Sequence, residues 1–175
     1  FEQASVFDLP FADGTFDIVW TKYLLQWLKD PRLALDELKR VTKPGGLVVS
    51  CDFADFMIEH FPVDAEFESQ IRTVMPGLVD PNVGRKIAGH MISLGFAQVA
   101  VDIEADRVFT VIGKIDAERR WNWEKQWAAA RSEIAKILGS EGEADNFLRQ
   151  CFDHFDATDT CTFTSLYFTR GRVPA

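Results

Sequence analysis

Blocks of apolar and polar positions along the first part of the chain predict a strand followed by a helix. The segment from Phe16 to Thr21 contains "DIVW", which is apolar on both faces, as in a strand covered by helices on each side. Asp30 and Pro31 then give a helix start, with Asp as N-cap and Pro at the first helical position. The apolar stripe of this helix consists of Ala34, Leu35, Leu38 and Val41.

A second strand follows this helix. The sequence Lys43-Pro44-Gly45-Gly46 ends the helix, and "LVVSCDF" is a buried strand by its continuous apolar character. A strand, a helix and a second strand within about 35 residues predict a right-handed βαβ unit with parallel strands.

The remainder of the chain is predicted to hold four more helices and two more strands. No internal repeat, low-complexity tract or flexible linker interrupts it, so we expect residues 1–175 to form a single domain. Met75-Pro76-Gly77 is expected to end the first of these helices. The predicted helices are Pro62–Val74, Asn82–Leu94, Asp116–Leu138 and Glu143–Phe155, and the predicted strands lie within Phe96–Val111 and Thr160–Arg170.

Charge and cysteine usage exclude several function classes. With 27 acidic and 19 basic residues the formal charge is −8, which disfavours nucleic acid as a partner because phosphate binding needs a basic surface. We expect no membrane partner, because no apolar run reaches the roughly 20 residues of a bilayer span. Three cysteines without metal or disulfide spacing predict no metal site and buried thiols in the cytoplasm.

The combination of motifs is similar to that of a known enzyme family. "ASVFDLPFADGTFDIVW" and "LALDELKRVTKPGGLVVSCDF" resemble the class I S-adenosylmethionine-dependent methyltransferases, in particular the small-molecule branch called type 11. "DPNVGRKIAGHMISLGF" and "TCTFTSLYFTRGRVP" are similar to the closing segments of one branch of that family. The resemblance implies an α/β, Rossmann-like fold, in which a parallel βαβ unit is joined by C-terminal antiparallel strands and helices cover both faces.

The resemblance also implies an activity, methyl transfer from S-adenosylmethionine to an oxygen, nitrogen or carbon atom of an aromatic or lipophilic small molecule. In the family the stretch from Leu9 follows two βα units that carry a glycine-rich cofactor loop, and no G-x-G-x-x-G after a strand occurs here. We therefore expect the C-terminal part of a methyltransferase with an incomplete cofactor site. The alternative is an inactive fragment that acts as a binding or dimerisation module. A nicotinamide-dependent oxidoreductase is disfavoured, because the LPF, DG, FD and KPGG pattern lies outside that fingerprint.

Two segments carry the cofactor-binding residues that the resemblance implies. Ser5 stands where relatives have an Asp that accepts a hydrogen bond from the adenine amino group, and Val6 would offer its backbone N–H to the ring. Phe7 would cover the adenine plane, or belong to the core. The segment at the carboxyl end of the first strand, bordering the methionine moiety and the transferred methyl group, consists of Trp20, Thr21 and Lys22.

The acceptor side is expected to follow this strand end. Tyr23, Gln26 and Trp27 would share one helical face toward the acceptor, although Tyr23 and Trp27 could equally pack the helix. Arg85 would anchor an anionic acceptor or pair with Asp80. Two further aromatic residues could line an acceptor pocket or the core, namely Phe53 and Trp121.

His60 is the candidate general base. It stands where some relatives place a His after the second strand, and a histidine suits proton removal near neutral pH. The alternative is a structural histidine, because displacement from a sulfonium can proceed by positioning and desolvation alone.

Strand 17–21 is expected to be an exposed sheet edge. In family order it pairs with a strand that this sequence does not contain, and no Pro or Lys within the run discourages pairing. We therefore expect a homodimer, either through this edge in antiparallel pairing about a two-fold axis or by segment exchange.

Overall fold

The computed structural model describes residues 3–175. Its strands are β1 (Phe16–Lys22), β2 (Thr42–Phe61), β3 (Ala97–Ala105), β4 (Val111–Ile112) and β5 (Cys161–Arg172). Its α-helices are α1 (Pro31–Val41), α2 (Ala65–Leu78), α3 (Val83–Ser93), α4 (Ala117–Leu138) and α5 (Glu141–Asp156), and a single 3₁₀ turn spans Leu25–Trp27.

The predicted βαβ unit is confirmed. Strands β1 and β2 pair in parallel, in a register that aligns Ile18 with Leu47 and Lys22 with Cys51. Helix α1 starts at Pro31, and the Asp30 carboxylate caps it by accepting from the backbone N–H of Arg32 and Leu33 at 3.1 and 3.2 Å. The predicted apolar stripe is buried, with Ala34, Leu35, Leu38 and Val41 between 0% and 3% exposed.

The sheet is mixed, as the predicted fold class requires. The strands lie in the order β1-β2-β5-β3, and β4 pairs with β5. Strands β4 and β5 run antiparallel, with Val111 opposite Thr162. The α/β, Rossmann-like fold class is therefore confirmed.

The chain divides into two compact units, each with a hydrophobic core. Unit 1 holds the described residues up to Ala54, together with 82–104 and 166–175, and unit 2 holds Asp55–Pro81 and Ala105–Ser165. The single-domain organisation stays a prediction. The core of unit 1 includes Leu25, Ala34, Leu35, Leu38, Val48, Val83, Ile87, Met91 and Phe96. The core of unit 2 includes Phe67, Ile71, Val74, Trp123, Trp127, Ile134, Phe147 and Phe155.

Close backbone contact fixes α3 in unit 1. A side chain at Gly84, in the first turn of α3, would bring its Cβ within 2.6 Å of the Phe53 carbonyl oxygen and 2.8 Å of the Asp52 carbonyl oxygen. Only glycine therefore allows α3 to approach the middle of β2 this closely.

Strand β2 is longer than predicted, because it runs from Thr42 to Phe61 and the prediction covered only "LVVSCDF". Strand β2 begins at Thr42, directly after α1, whereas the prediction placed the strand after Gly46. Within this early part, Gly45 N–H donates to the Val173 carbonyl oxygen at 2.9 Å, so tertiary pairing extends the strand.

Helix α2 continues through Pro76 to Leu78, whereas the prediction ended it at Val74. Packing explains the continuation. A Cβ at Gly77 would lie 2.6 Å from Cδ1 of Ile137, so α2 lies against α4 at this point, and Met75 is buried. The stabilisation from this packing exceeds the cost of the backbone hydrogen bond that the nitrogen of Pro76 cannot donate.

No helix among residues 3–175 combines the length and the apolar character that crossing a membrane would need. Within the same residues, no group of three or more His, Cys, Asp and Glu side chains could hold a metal ion.

Candidate functional site

The segment that the resemblance assigns to adenine forms a tight turn in unit 1. The Ser5 hydroxyl oxygen accepts from the Phe7 N–H at 3.3 Å, and the Ser5 carbonyl oxygen accepts from the Asp8 N–H at 3.1 Å. Ser5 is exposed. Its hydroxyl therefore orders the turn and still has a free lone pair toward solvent.

Two charged residues of α1 fix the end of this segment. A Glu37 carboxylate oxygen accepts from the Leu9 N–H at 2.7 Å, and Arg40 donates to the Leu9 carbonyl oxygen at 3.1 Å and to the Phe11 carbonyl oxygen at 2.9 Å. Arg40 also pairs with Glu37 and Asp13, both at 2.6 Å. Hydrogen bonds from Arg40 and from the Leu9 N–H hold the pKa of Glu37 at about 2.

An apolar groove of about 490 Å³ lies beside β1 in unit 1. It brings together Val6 from the predicted adenine segment and Thr21 from the predicted methionine side. The Thr21 hydroxyl is buried and has no hydrogen-bond partner among the described residues. The remaining lining residues are apolar, namely Ala4, Leu9, Phe11, Phe16, Ile18, Val19, Leu24, Leu38 and Val41.

Aromatic side chains surround the carboxyl end of β1. The Tyr23 ring stacks on the Phe53 ring with 4.5 Å between centroids, and the Lys22 ammonium lies 4.7 Å from the Tyr23 ring centre. Trp20 and Trp27 are 64% and 62% exposed. The structure thus brings Lys22, Tyr23 and Phe53 into contact and leaves two indoles accessible to solvent.

Asp52, which is not among the predicted site residues, lies at the end of the β1–β2 pairing. Its carboxylate is fully buried, accepts from the Ser50 hydroxyl at 2.5 Å and from the Leu25 N–H at 3.0 Å, and burial raises its pKa to about 6. With its amide nitrogen turned toward Asp52, the buried Gln26 side chain donates to that carboxylate at 3.1 Å and accepts from the Trp27 indole N–H at 3.3 Å. The sequence does carry a signal for Asp52, because Ser50 and Asp52 are polar residues within the otherwise apolar run "LVVSCDF".

Of the predicted site residues of unit 1, Val6 and Thr21 line the groove and the other nine do not, among them Phe7 and Arg85. Phe7 is 46% exposed and lines a separate depression of about 630 Å³ that Asp13, Glu37 and Arg40 also border. Arg85 is exposed in the first turn of α3. The roles of both residues stay predictions.

His60 and Trp121 belong to unit 2. The His60 ring packs against Phe67, His154 and Phe155, with 4.8 Å between the His60 and His154 centroids. Trp121 is 56% exposed, and the Lys125 ammonium lies 3.4 Å from its ring centre.

Both ring nitrogens of His60 have partners. Nε2 lies 2.9 Å from the Met57 carbonyl oxygen and Nδ1 lies 2.9 Å from the Thr162 hydroxyl. The carbonyl can only accept, so Nε2 carries the proton and Nδ1 accepts from Thr162. Burial lowers the pKa of His60 to about 4, which keeps the ring neutral at pH 7. Removal of a substrate proton by Nδ1 would first require the Thr162 hydrogen bond to break.

Comparison with known proteins shows similarity to methyltransferases over the first part of the chain. Residues 1–50 match the family described as "Methyltransferase domain" (Methyltransf_11). A methyltransferase of Schizosaccharomyces pombe without assigned function is 43% identical over 97 residues, which are 53% of this chain and 34% of that protein. A demethylmenaquinone methyltransferase of Clavibacter sepedonicus is 39% identical over 79 residues, 45% of this chain and 31% of that protein. The chain spans about a third of the length of these curated relatives.

Solved structures show the same fold. The YcgJ protein of Bacillus subtilis matches with a TM-score of 0.55 at 16% identity, over 99% of this chain and 70% of that chain. Phosphoethanolamine N-methyltransferase 2 of Haemonchus contortus, solved with phosphomonomethylethanolamine and S-adenosylhomocysteine, matches with a TM-score of 0.50 at 14% identity, over 98% of this chain and 36% of that chain. The match of residues 1–50 and the parallel βαβ unit agree with this fold, and the chain is similar to the S-adenosylmethionine-dependent methyltransferases in sequence and in fold.

Proposed function

We propose that this chain takes part in methyl transfer from S-adenosylmethionine to an oxygen, nitrogen or carbon atom of a small aromatic or lipophilic acceptor. The observation that carries the proposal is the groove that Val6 and Thr21 line together. These residues come from the two segments assigned to opposite ends of the cofactor. The groove also lies beside a parallel βαβ unit, and open α/β sheets bind ligands near the carboxyl ends of their parallel strands.

The residues of the groove fit such a cofactor. A buried hydroxyl without a partner costs about 1–3 kcal/mol, and Thr21 carries one in an otherwise apolar lining. A ligand with apolar faces and a polar edge would recover this energy by bonding the hydroxyl. Ser5, Val6 and Phe7 would bind the adenine end, and Trp20, Thr21 and Lys22 would border the methionine end.

When bound, S-adenosylmethionine supplies a methyl group on a positively charged sulfur. The residues of this chain would position the acceptor and exclude water from it, because displacement at an activated methyl depends on alignment and desolvation. The stacked rings of Tyr23 and Phe53 and the exposed Trp27 indole offer an aromatic surface at the strand end. We therefore propose an aromatic acceptor, with Arg85 as a polar contact and Gln26 acting through Trp27, to which its side chain is bonded. Trp121 lies in unit 2, and its role stays a prediction.

A second proposal is that His60 removes the acceptor proton. The neutral ring has the charge state of a base, but its unprotonated nitrogen, Nδ1, already accepts a hydrogen bond from the Thr162 hydroxyl. Methyl transfer to carbon or nitrogen, in which the proton leaves after the displacement, does not require this residue in the displacement step.

The β1 edge supports a homodimer. Strand β1 lies at the end of the strand order and exposes Ile18 and Trp20, which are 63% and 64% exposed. A second copy could pair its own β1 antiparallel to this edge, and segment exchange would satisfy the same backbone groups. Cys51, Cys151 and Cys161 are present as thiols, and reduced thiols support a cytoplasmic location for the protein.

The test is an NMR titration of the ¹⁵N-labelled chain with S-adenosylhomocysteine. We expect amide shifts at Val6, Thr21 and Leu24, with a dissociation constant of about 1 mM or tighter, which corresponds to about 4 kcal/mol of binding free energy. Saturating ligand without shifts at these amides would overturn the cofactor assignment and favour the inactive binding or dimerisation module.

A further inference from the structure

Asp52 lies where the pairing of β1 with β2 ends. Lys22 of β1 is paired with Cys51 of β2, and the Tyr23 N–H adds one more bond to the Cys51 carbonyl oxygen at 2.9 Å. At Tyr23 the backbone enters the left-handed region, with φ of 54°, and leaves the strand. Asp52 therefore directly follows Cys51, the residue of β2 to which the chain leaving β1 is hydrogen-bonded.

The chain that leaves β1 forms the 3₁₀ turn Leu25–Trp27, and Asp52 caps it. Leu24 occupies the N-cap position and its side chain makes no capping hydrogen bond. Backbone N–H groups of Leu24, Leu25 and Gln26 instead donate to the Asp52 carboxylate, and the Ser50 hydroxyl occupies the other oxygen at 2.5 Å. A distant carboxylate thus performs the role that a neighbouring Ser, Thr, Asp or Asn has in most turns.

The hydrogen-bond chain continues outward from this carboxylate. The Gln26 side chain, 4% exposed, bridges Asp52 at 3.1 Å and the indole N–H of Trp27 at 3.3 Å. The Trp27 ring at the outer end is 62% exposed. Buried groups therefore determine both the path of the turn and the orientation of an accessible aromatic ring.

We propose that Asp52 is a positioning residue for the acceptor side of the site, which it orients through the Leu24–Gln26 backbone and through Gln26 to Trp27. The inference rests on the proposed function, because it assumes that Trp27 faces the acceptor. Its geometric part, the control of Trp27 by Asp52, stands on the hydrogen bonds alone.

The chemistry favours a role beyond stability. A buried carboxylate is costly, and replacing buried charge by apolar residues is often neutral or stabilising. Burial raises the pKa of Asp52 to about 6, which reflects that cost. A fully satisfied buried polar network does give one defined geometry, which an acceptor surface requires.

The experiment compares Asp52→Asn with Ser50→Ala in the full chain. Asparagine keeps the volume and one acceptor oxygen but loses the charge, whereas Ser50→Ala removes one bond and leaves the three N–H contacts. Three quantities are measured: amide exchange at Leu24–Gln26, the NMR shift of the Trp27 indole N–H, and the response of that signal to 2-naphthol as an aromatic probe.

We expect Asp52→Asn to speed exchange at the three amides by about tenfold or more, to move the Trp27 signal, and to weaken its response to 2-naphthol by about tenfold. Amide exchange in α1 should stay within about twofold, which a general loss of structure would not allow. Ser50→Ala should change the same three quantities in the same direction but less, and it remains the test if Asp52→Asn fails to fold.

Two results would overturn the inference. Unchanged exchange and an unmoved Trp27 signal in either folded variant would show that Asp52 does not position the turn. Absence of any 2-naphthol response at Trp27 in the unmodified chain would remove the acceptor-side role. Failure of the proposed function would give a different result. The unmodified chain would then not bind S-adenosylhomocysteine, but Asp52→Asn would still move the NMR signal of the Trp27 indole N–H.

Discussion

Glu37 and Arg40, one turn apart on α1, form an ion pair with 2.6 Å between Oε1 and Nη2, and the pair holds the backbone of Leu9 from both sides. Glu37 accepts from the Leu9 N–H and Arg40 donates to the Leu9 carbonyl oxygen. A helix of the βαβ unit therefore fixes the loop that carries the predicted adenine contacts. Asp36 and Arg40 stand four positions apart, a spacing that favours an ion pair, but in the structure Arg40 pairs with Glu37 and Asp13.

Glu37→Ala should release the segment that ends at Leu9. Loss of a charge-assisted hydrogen bond is expected to speed amide exchange at Leu9 by about tenfold, with little change in the core of unit 1. Asp36→Ala, an exposed carboxylate on the same helix, is the matched control and should leave the Leu9 exchange rate unchanged. Equal rates in the two variants would contradict the proposed anchoring.

Comparison of Thr21→Val with Thr169→Val tests whether a loss of affinity comes from the groove or from removal of any buried hydroxyl. Both hydroxyls are buried without a partner among the described residues, but only Thr21 lines the groove. We expect Thr21→Val to weaken S-adenosylhomocysteine binding about threefold to tenfold and Thr169→Val to leave it unchanged. Neither substitution should lower the free energy of unfolding, because each removes an unsatisfied polar atom. Equal losses of affinity would remove Thr21 from the site.

Ile18→Lys tests the β1 edge. Light scattering of the unmodified chain should give the mass of a dimer at micromolar concentration, and a charge on the edge strand should give a monomer. Ile92→Lys is the control, since Ile92 is 64% exposed on α3 and Ile18 is 63% exposed on β1. A dimer that survives Ile18→Lys points to segment exchange, and a monomer of the unmodified chain rejects both arrangements.

Acid should destabilise unit 2 through His60. Its pKa is about 4 in the folded chain and about 6.5 when unfolded, so its contribution to stability is fully present above pH 6.5 and is lost as the pH falls toward 4. Amide exchange in α4 and α5, followed from about pH 8 to about pH 4, should show this loss.

His60→Gln should reduce the acid sensitivity of unit 2 to the part that comes from His154, whose pKa burial also lowers, and His90→Gln on α3 should not reduce it. Asp52 in unit 1 has the opposite sign, because its raised pKa of about 6 gives a contribution present below 3.8 and lost as the pH rises through 6. The same pH response in His60→Gln and the unmodified chain would contradict the buried position of the ring.

Core truncations test the single-domain prediction. Leu35→Ala in unit 1 should cost about 2–5 kcal/mol and Phe147→Ala in unit 2 about 3–5 kcal/mol, since both side chains are fully buried. If the chain unfolds as one domain, each variant accelerates exchange in both units. Effects confined to the unit that carries the substitution would show two independently unfolding domains.

Local patterns were sufficient to predict the βαβ unit. Asp30 before Pro31 marks the start of α1, and the stripe of Leu35 and Leu38 marks its buried face, because N-capping and helical periodicity depend on residues within one or two turns. These features follow from short-range chemistry that the sequence carries directly.

The candidate site depended on contacts between distant positions. Asp52 bonds Leu25 across 27 positions, and His60 bonds Thr162 across 102, so neither partner can be found from spacing within one element. Pro76 was expected to end a helix by its own chemistry, and the contact of Gly77 with Ile137 outweighed that expectation.

The capping of the 3₁₀ turn by Asp52 also constrains the order of assembly. Because Leu25 precedes its capping partner by 27 positions, the turn stays without a cap until that later part of the chain has been synthesised and β2 has docked beside β1. During translation we therefore expect the Tyr23–Trp27 stretch to become ordered only after β2 has paired with β1.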